Sequence, residues 1–111
     1  MWSFGCILIE LYTGIPIFPG ESEMEQLNLI MQVFGVPPLK VLKNAERKDK
    51  FFREGTNEPL HVIEDPDGSL RLPGSKPLIE IIGDQSETFF DFIVRCLMWD
   101  PEERISPLEA L

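Results

Sequence analysis

A stretch that is apolar nearly all round opens the chain. We predict a helix from about Ser3 to Tyr12, in which Glu10 is the only charged residue. Gly14 ends this helix, because glycine readily takes the left-handed conformation that closes a helix. A helix without a polar face belongs at the centre of a larger fold rather than on a surface. The pattern therefore predicts a central helix whose side chains meet neighbours on every side.

Three further helices are predicted from polar caps and the apolar positions behind them. They cover residues 22–35, 84–99 and 106–111. Each starts with a hydroxyl or carboxylate residue three positions ahead of a glutamate, which is the capping-box spacing. The first is amphipathic, with apolar residues at helical spacing, and Gly35 ends it. Asp100 is predicted to cap the tight turn that follows the second of them.

The block between residues 36 and 83 has a different pattern. It is rich in proline, glycine and basic residues, which marks it as an insert between better-defined helices. A short helix is predicted around residues 39–52. Residues 60–72 alternate loosely about Asp65-Pro66-Asp67-Gly68, which predicts a small β-hairpin. The predicted fold class is therefore mainly α, with about four to five helices and this hairpin.

Composition and charge narrow the classes of partner and compartment. Its 111 residues are enough for one compact domain and too few for two, and its net charge of −9 makes nucleic acid and membrane headgroups poor partners. Plain solubility also explains such acidity. Cys6 and Cys96 lie far apart, which favours free buried thiols in a reducing compartment, and His61 has no companions at metal-ligand spacing. The absence of a signal-peptide pattern predicts an intracellular location, in cytoplasm, nucleus or both.

The two ends of the chain resemble the large lobe of eukaryotic-type protein kinases. Met-Trp-Ser-Phe-Gly, followed by Ile-Pro-Ile-Phe-Pro-Gly, resembles the central F helix and its exit loop. Cys-Leu-Met-Trp-Asp-Pro-Glu-Glu-Arg resembles the family's signature after helix H. Both signatures occur in the order that the family has. The residues that match these motifs are Trp2, Ser3, Gly5, Asp100, Pro101 and Arg104.

The resemblance implies a partial protein kinase domain over residues 1–111. Its parts are the F-helix region (1–14), the G helix (22–35), the insert (36–83), the H helix (84–99) and a truncated I helix (106–111). Such an insert is typical of the group of cyclin-dependent, mitogen-activated and dual-specificity tyrosine-regulated kinases. The predicted hairpin and the Trp-Asp-Pro sequence are most similar to those of the dual-specificity tyrosine-regulated kinases.

The expected chemistry belongs to a longer parent protein. The resemblance implies a serine/threonine kinase domain that binds ATP and magnesium, but the glycine-rich loop, His-Arg-Asp and Asp-Phe-Gly motifs are absent from this sequence. We therefore predict no catalytic, cofactor-binding or metal-binding residue, and an inactive chain whose partners include the rest of the kinase domain. The alternative is a non-catalytic, kinase-derived helical module that binds protein partners.

Two charged motif positions have both a functional and a structural interpretation. Glu10 matches an acidic position that contacts a basic substrate residue in some kinases, although a helix-end carboxylate also explains it. Arg104 matches the arginine that pairs with the glutamate of Ala-Pro-Glu, for which its planar fork is suited. Within this chain we expect Arg104 to be solvated or paired with a local acid, and Trp2 to pack against the missing segment in the parent.

The insert carries the candidate docking surface for protein partners, next to the G helix. Six of the ten basic residues lie between Lys40 and Arg53, interleaved with apolar residues. A solvated helix face is the commoner explanation of such a run, whereas the adjacent phenylalanines favour binding. The candidate docking residues are Lys43, Arg47, Phe51 and Phe52.

Overall fold

The computed structural model describes residues 1–83 and 87–111, and it is mainly helical, as predicted. Within these ranges the helices are α1 (Trp2–Thr13), α2 (Glu23–Phe34), α3 (Leu39–Leu42), α4 (Leu78–Ile82), α5 (Glu87–Cys96) and α6 (Pro107–Ala110). The chain divides into two compact units. Unit 1 comprises Met1–Ile17 with Ile79–Leu111, and unit 2 comprises Phe18–Leu78.

The core of unit 1 lies between α1 and α5. Phe4 meets Phe92 edge to face with ring centroids 6.4 Å apart, and Tyr12 lies 5.8 Å from Phe89. Such aromatic pairs add stability beyond the area they bury. Gly14 ends α1 in the left-handed conformation, with φ of 83°, and its N–H donates to the carbonyl of Glu10. The amphipathic α5 thus covers one side of the apolar α1.

Much of the apolar surface of α1 is nevertheless uncovered in the chain. Ile9 is fully buried, whereas Ile7 is 52% exposed and Leu11 is 77% exposed. The sequence predicts neighbours on every side of this helix, and the chain itself supplies them on one side. Helix α1 therefore has more apolar surface than unit 1 buries.

Unit 2 is built on α2, whose cap was predicted correctly in part. The Ser22 hydroxyl accepts a hydrogen bond from the amide of Glu25 at 3.1 Å. The carboxylate of Glu25 accepts from the amide of Glu21 at 3.2 Å, one residue before the position that a complete capping box uses. Gly35 closes the helix by donating to the carbonyl of Met31. Half of the capping box therefore forms, and α2 begins where the sequence predicts.

The predicted helix over residues 39–52 is wrong in its extent. The chain forms only α3 and a separate 3-10 helix at Lys48–Lys50, with turns between them. The bend lets Leu42 and Phe52 both become buried, at 7% and 4% exposure. A short antiparallel bridge then pairs Phe52 with Pro59. Burial of these two apolar residues outweighs continuation of a helix whose remaining residues are mostly charged.

The predicted hairpin is present as an antiparallel bridge between Glu64 and Leu70. Its turn is stabilised by a 2.8 Å hydrogen bond from the amide of Asp65 to the carbonyl of Ser69, and by an ion pair between Arg71 and Asp65 at 2.9 Å. After the hairpin the chain returns to α2. There the amide of Gly74 donates to the carbonyl of Met31 at 2.9 Å.

The last part of the insert contains a helix that the sequence analysis missed. Helix α4 has only five residues, which is too short to display a helical period. The predicted cap of the next helix falls on Asp84, Gln85 and Ser86, which lie outside the described residues. At the end of the chain, the capping box of Ser106 and Glu109 forms completely. No helix in the described ranges is long and apolar enough to cross a membrane.

Candidate functional site

The signature residues at opposite ends of the sequence meet in unit 1. The guanidinium carbon of Arg104 lies 5.4 Å from the centroid of the Trp2 ring, a cation–π arrangement. The same Trp2 ring lies 6.3 Å from the ring of Trp99. The guanidinium of Arg104 also donates two hydrogen bonds, at 3.0 and 3.1 Å, to the carbonyl of Met98. Main-chain carbonyls and an aromatic face thus hold Arg104, which is half-buried and pairs with no acidic side chain in the described ranges.

Gly5 has a packing role that the sequence alone did not reveal. A Cβ atom at this position would lie 2.9 Å from the Cβ of Cys96 and 3.2 Å from a methyl carbon of Leu97. Contacts below about 3 Å are repulsive for carbon atoms. The glycine therefore allows α1 to approach the C-terminal end of α5 more closely than any other residue would.

The Asp-Pro motif forms the tight turn that was predicted for it. Asp100 is buried, and its carboxylate accepts a hydrogen bond from the amide of Glu102 at 2.9 Å. Pro101 is exposed at the first position of the turn. Next to the turn, the indole nitrogen of Trp99 is buried without a hydrogen-bond partner among the described residues. The turn thus directs the chain back so that Arg104 reaches Trp2.

Two other polar residues of α1 lie at its surface. Ser3 and Glu10 are both exposed. Exposure leaves the Glu10 carboxylate accessible to a partner, and equally to water. Burial raises the pKa of the Cys6 and Cys96 thiols, so these cysteines are weak nucleophiles.

The candidate docking residues lie together in unit 2. Arg47 forms an ion pair with Glu23 at the start of α2, and its guanidinium carbon lies 6.0 Å from the centroid of the Phe51 ring. The ion pair lowers the pKa of Glu23 and raises that of Arg47. Because both side chains are exposed, the pair fixes geometry more than it adds stability.

Two cavities of about 360 Å³ each open next to these residues. They share three lining residues, Leu42, Lys48 and Phe52. The rest of the first cavity is lined by Leu39, Lys40, Lys43, Asp49, Arg53, Gly55 and Thr56. The rest of the second is lined by Glu23, Gln26, Leu27, Ile30, Ala45, Arg47 and Phe51.

All four candidate docking residues contribute to these cavities. Lys43 lines the first, Arg47 and Phe51 line the second, and Phe52 lines both. The sequence analysis missed Leu39 and the α2 residues of the second wall. The apolar spacing of α2 predicts a buried face, but it does not show that the face ends at a cavity.

The charged residues of the two linings are mostly basic. Each lining has a single carboxylate, Asp49 in one and Glu23 in the other. Across the described ranges no group of three His, Cys, Asp or Glu side chains is placed to hold a metal ion. The linings combine apolar side chains with basic groups.

Comparison with known proteins finds relatives that match the whole length of the chain. Residues 1–111 match the protein kinase domain family. The dual specificity tyrosine-phosphorylation-regulated kinase 2 of Drosophila melanogaster is 52% identical over 99% of the chain, which spans 15% of that protein's length. The human dual specificity tyrosine-phosphorylation-regulated kinase 4 is 44% identical over 100% of the chain, which spans 21% of its length. The serine/threonine-protein kinase ppk5 of Schizosaccharomyces pombe is 41% identical over 100% of the chain.

The chain therefore spans a small part of the curated relatives that it matches. The matches cover both signatures and the insert between them, and the predicted similarity to the dual-specificity tyrosine-regulated kinases is confirmed. The meeting of Trp2 with Arg104 and the close approach at Gly5 are features of this matched region. On this evidence the chain belongs to the protein kinase domain family.

Proposed function

We propose that this chain supplies the C-terminal part of the large lobe of a serine/threonine-type protein kinase. In this role α1 is the F helix, which supports the catalytic loop, and α2 with the insert carries the docking surface for protein partners. Phosphoryl transfer, with its ATP and magnesium, takes place on residues outside this chain. The location is intracellular, where such kinases find their substrates.

The observation that carries this proposal is the uncovered apolar side of α1 in a chain that matches the kinase family from end to end. Ile7 and Leu11 are exposed, whereas Ile9 on the same helix is fully buried. Burial of apolar surface is worth about 25 cal/mol per Å². The exposed side of α1 is therefore suited to the remainder of a kinase large lobe, which this chain lacks.

Reconstitution of a kinase domain from two polypeptides tests this proposal. The chain is coexpressed with the upstream part of the kinase domain of the fly relative, and phosphate transfer from labelled ATP to a protein substrate is measured. We expect no transfer by the chain alone and measurable transfer by the pair. The Leu11→Glu substitution should abolish association, because it places a charge in the apolar contact.

A matched control separates this effect from the general effect of replacing an exposed leucine by glutamate. Leu39 is also exposed but lies in unit 2, so Leu39→Glu should leave the association of the two polypeptides intact. Transfer by the isolated chain that persists after repurification would contradict the proposal. So would full reconstitution by the Leu11→Glu variant.

The two cavities of unit 2 support a second candidate, a kinase-derived module that binds protein partners without chemistry. This second candidate has the same fold as the first, and the gene sequence upstream of Met1 distinguishes the two. An open reading frame that continues upstream of Met1 through Asp-Phe-Gly and His-Arg-Asp motifs would establish the catalytic parent. A stop codon or unrelated sequence there would favour the binding module.

A further inference from the structure

We propose that the two adjoining cavities of unit 2 bind one acidic segment of a partner protein, with apolar side chains placed between its carboxylates. This inference rests on the docking role proposed above and specifies the chemistry of the partner. It follows from three observations: the shared wall of the cavities, the basic residues of the first, and the apolar lining of the second.

The shared wall makes the two cavities neighbours, because Leu42, Lys48 and Phe52 line both of them. Leu42 and Phe52 form its apolar part and are almost completely buried, so their positions are fixed by the packing of unit 2. Lys48 lies on the same wall, and its ammonium group donates to the carbonyl of Lys43 at 3.2 Å. A single segment that crosses this wall can place one apolar side chain in each cavity.

The first cavity has a basic rim over an apolar floor. Four of its lining residues are basic and one, Asp49, is acidic. Lys43 is exposed and forms no ion pair with any residue in the described ranges, and Leu39 beside it is 56% exposed. The rim lies in a chain whose net charge is −9. An acidic partner is therefore repelled by most of the protein and attracted to this rim.

The second cavity has less net charge and more apolar lining residues than the first. Of its three charged lining residues, Glu23 and Arg47 form an ion pair, and Lys48 is shared with the first cavity. Leu27, Ile30 and Phe51 supply its apolar lining. An uncharged side chain that enters this cavity removes apolar surface from water on both partners. The two cavities thus differ in chemistry, and a segment with alternating acidic and apolar residues satisfies both.

Fluorescence anisotropy with a labelled synthetic peptide tests the inference. The probe alternates glutamate with leucine, and two comparison peptides replace either the glutamates by lysine or the leucines by glycine. The protein is the full chain, together with any upstream sequence that its gene encodes. We expect saturable binding of the first peptide, and binding at least about tenfold weaker of each comparison peptide.

Charge reversal at two lysines locates the site. Lys43→Glu should weaken binding about tenfold, since it removes one attraction and adds one repulsion at the rim. Lys50→Glu changes the net charge of the chain by the same amount but lies outside both linings, so it should weaken binding less than about threefold under physiological salt. Circular dichroism checks that each variant keeps its helices. Should Lys43→Glu lose them, Lys43→Gln replaces it, with a smaller loss of affinity expected.

Three outcomes would overturn the inference: equal losses for the two lysine variants, tight binding of the lysine peptide, or displacement of the probe by a short RNA. The reconstitution experiment separates such a failure from a failure of the proposed function. Lys43→Glu should still associate with the upstream kinase polypeptide in that experiment, because Lys43 belongs to unit 2, whereas the apolar side of α1 belongs to unit 1. Failure of the native chain to bind the glutamate–leucine peptide, together with intact association of the two kinase polypeptides, would refute the partner chemistry alone.

Discussion

Replacement of Gly5 by alanine should destabilise the chain, although alanine is the better helix former. In the interior of an exposed helix this substitution stabilises by about 1 kcal/mol. At Gly5 the added methyl carbon would lie 2.9 Å from the Cβ of Cys96 and 3.2 Å from a methyl carbon of Leu97. The Cβ of Cys96 is rigidly attached to α5, so relief requires movement of one helix.

The size of the effect follows from two opposed contributions. Forcing an extra methyl group into a packed contact typically costs about 1–3 kcal/mol. After the gain in helix propensity is subtracted, we expect a net loss of about 1 kcal/mol in the free energy of unfolding. For a domain of this size, that loss lowers the melting temperature by roughly 4–8 °C.

Tryptophan fluorescence during urea unfolding measures the effect where it occurs. The chain has two tryptophans, Trp2 and Trp99, and their rings lie 6.3 Å apart in unit 1. Their emission therefore reports on the contact between the first helix and the C-terminal signature. The chain is refolded from urea at low protein concentration, because the uncovered side of α1 favours aggregation.

Ser3→Ala is the matched control, since Ser3 lies in the same helix but is exposed. It should change the free energy of unfolding by no more than about 0.5 kcal/mol. A Gly5→Ala variant as stable as the native chain, or more stable, would refute the role assigned to this close approach.

Two further predictions concern the signature after α5 and the last helix. Arg104→Lys keeps the charge but loses the planar stack on Trp2 and the paired donation to Met98, so the unfolding free energy should fall by about 1 kcal/mol. In the same urea titration, the free energy of unfolding of the Arg104→Met variant should be lower still. Equal stability of the two variants would contradict a role for the donated hydrogen bonds. Ser106 lowers the pKa of Glu109, so the capping box contributes stability above the ordinary pKa of a glutamate and loses it as the pH falls through the lowered value. The protection factor of the Glu109 amide, which compares its hydrogen exchange with that of an unstructured amide at the same pH, should therefore fall in acid. Ser106→Ala should remove that pH dependence, and an unchanged profile would refute the coupling.

The helix ends could be predicted from the sequence because their causes are local. The hydroxyl of Ser22 and the amide of Glu25 are three residues apart, and Gly14 closes α1 by a bond to Glu10 within the same turn. Each cap needs only a short run of chain to form. The spacing of residue types therefore contains nearly all the information that these ends require.

The break after α3 could not be predicted, because its cause is not local. The chain bends between Leu42 and Phe52 so that both side chains reach the interior of unit 2. A run of lysines and leucines has good helix propensity, and tertiary burial overrides it here. Without the positions of the facing residues, the sequence cannot show which apolar residues gain from the bend.

The residues of the candidate docking surface stay a prediction from the sequence, and the sequence could not show how they are arranged. The sequence places Arg47 in a basic run, but the ion pair to Glu23 joins residues from two elements. Likewise Gly5 was recognised as a motif residue, whereas its contact with Cys96 depends on how α1 packs on α5. Contacts between residues that are far apart in sequence produce no periodic pattern in the sequence, so they cannot be predicted from it.

The return of the chain to the end of α2 has a consequence for how this family can vary. The insert leaves α2 at Gly35, whose amide bonds to Met31, and it comes back where Gly74 bonds to the same carbonyl. The chain therefore leaves α2 and returns to it at the same acceptor, the carbonyl of Met31. Lengthening the loop between them costs little entropy, because closure depends only weakly on loop length. Residues can be gained or lost here without rerouting the rest of the polypeptide, so this is where new binding preferences can arise while the supporting helices stay unchanged.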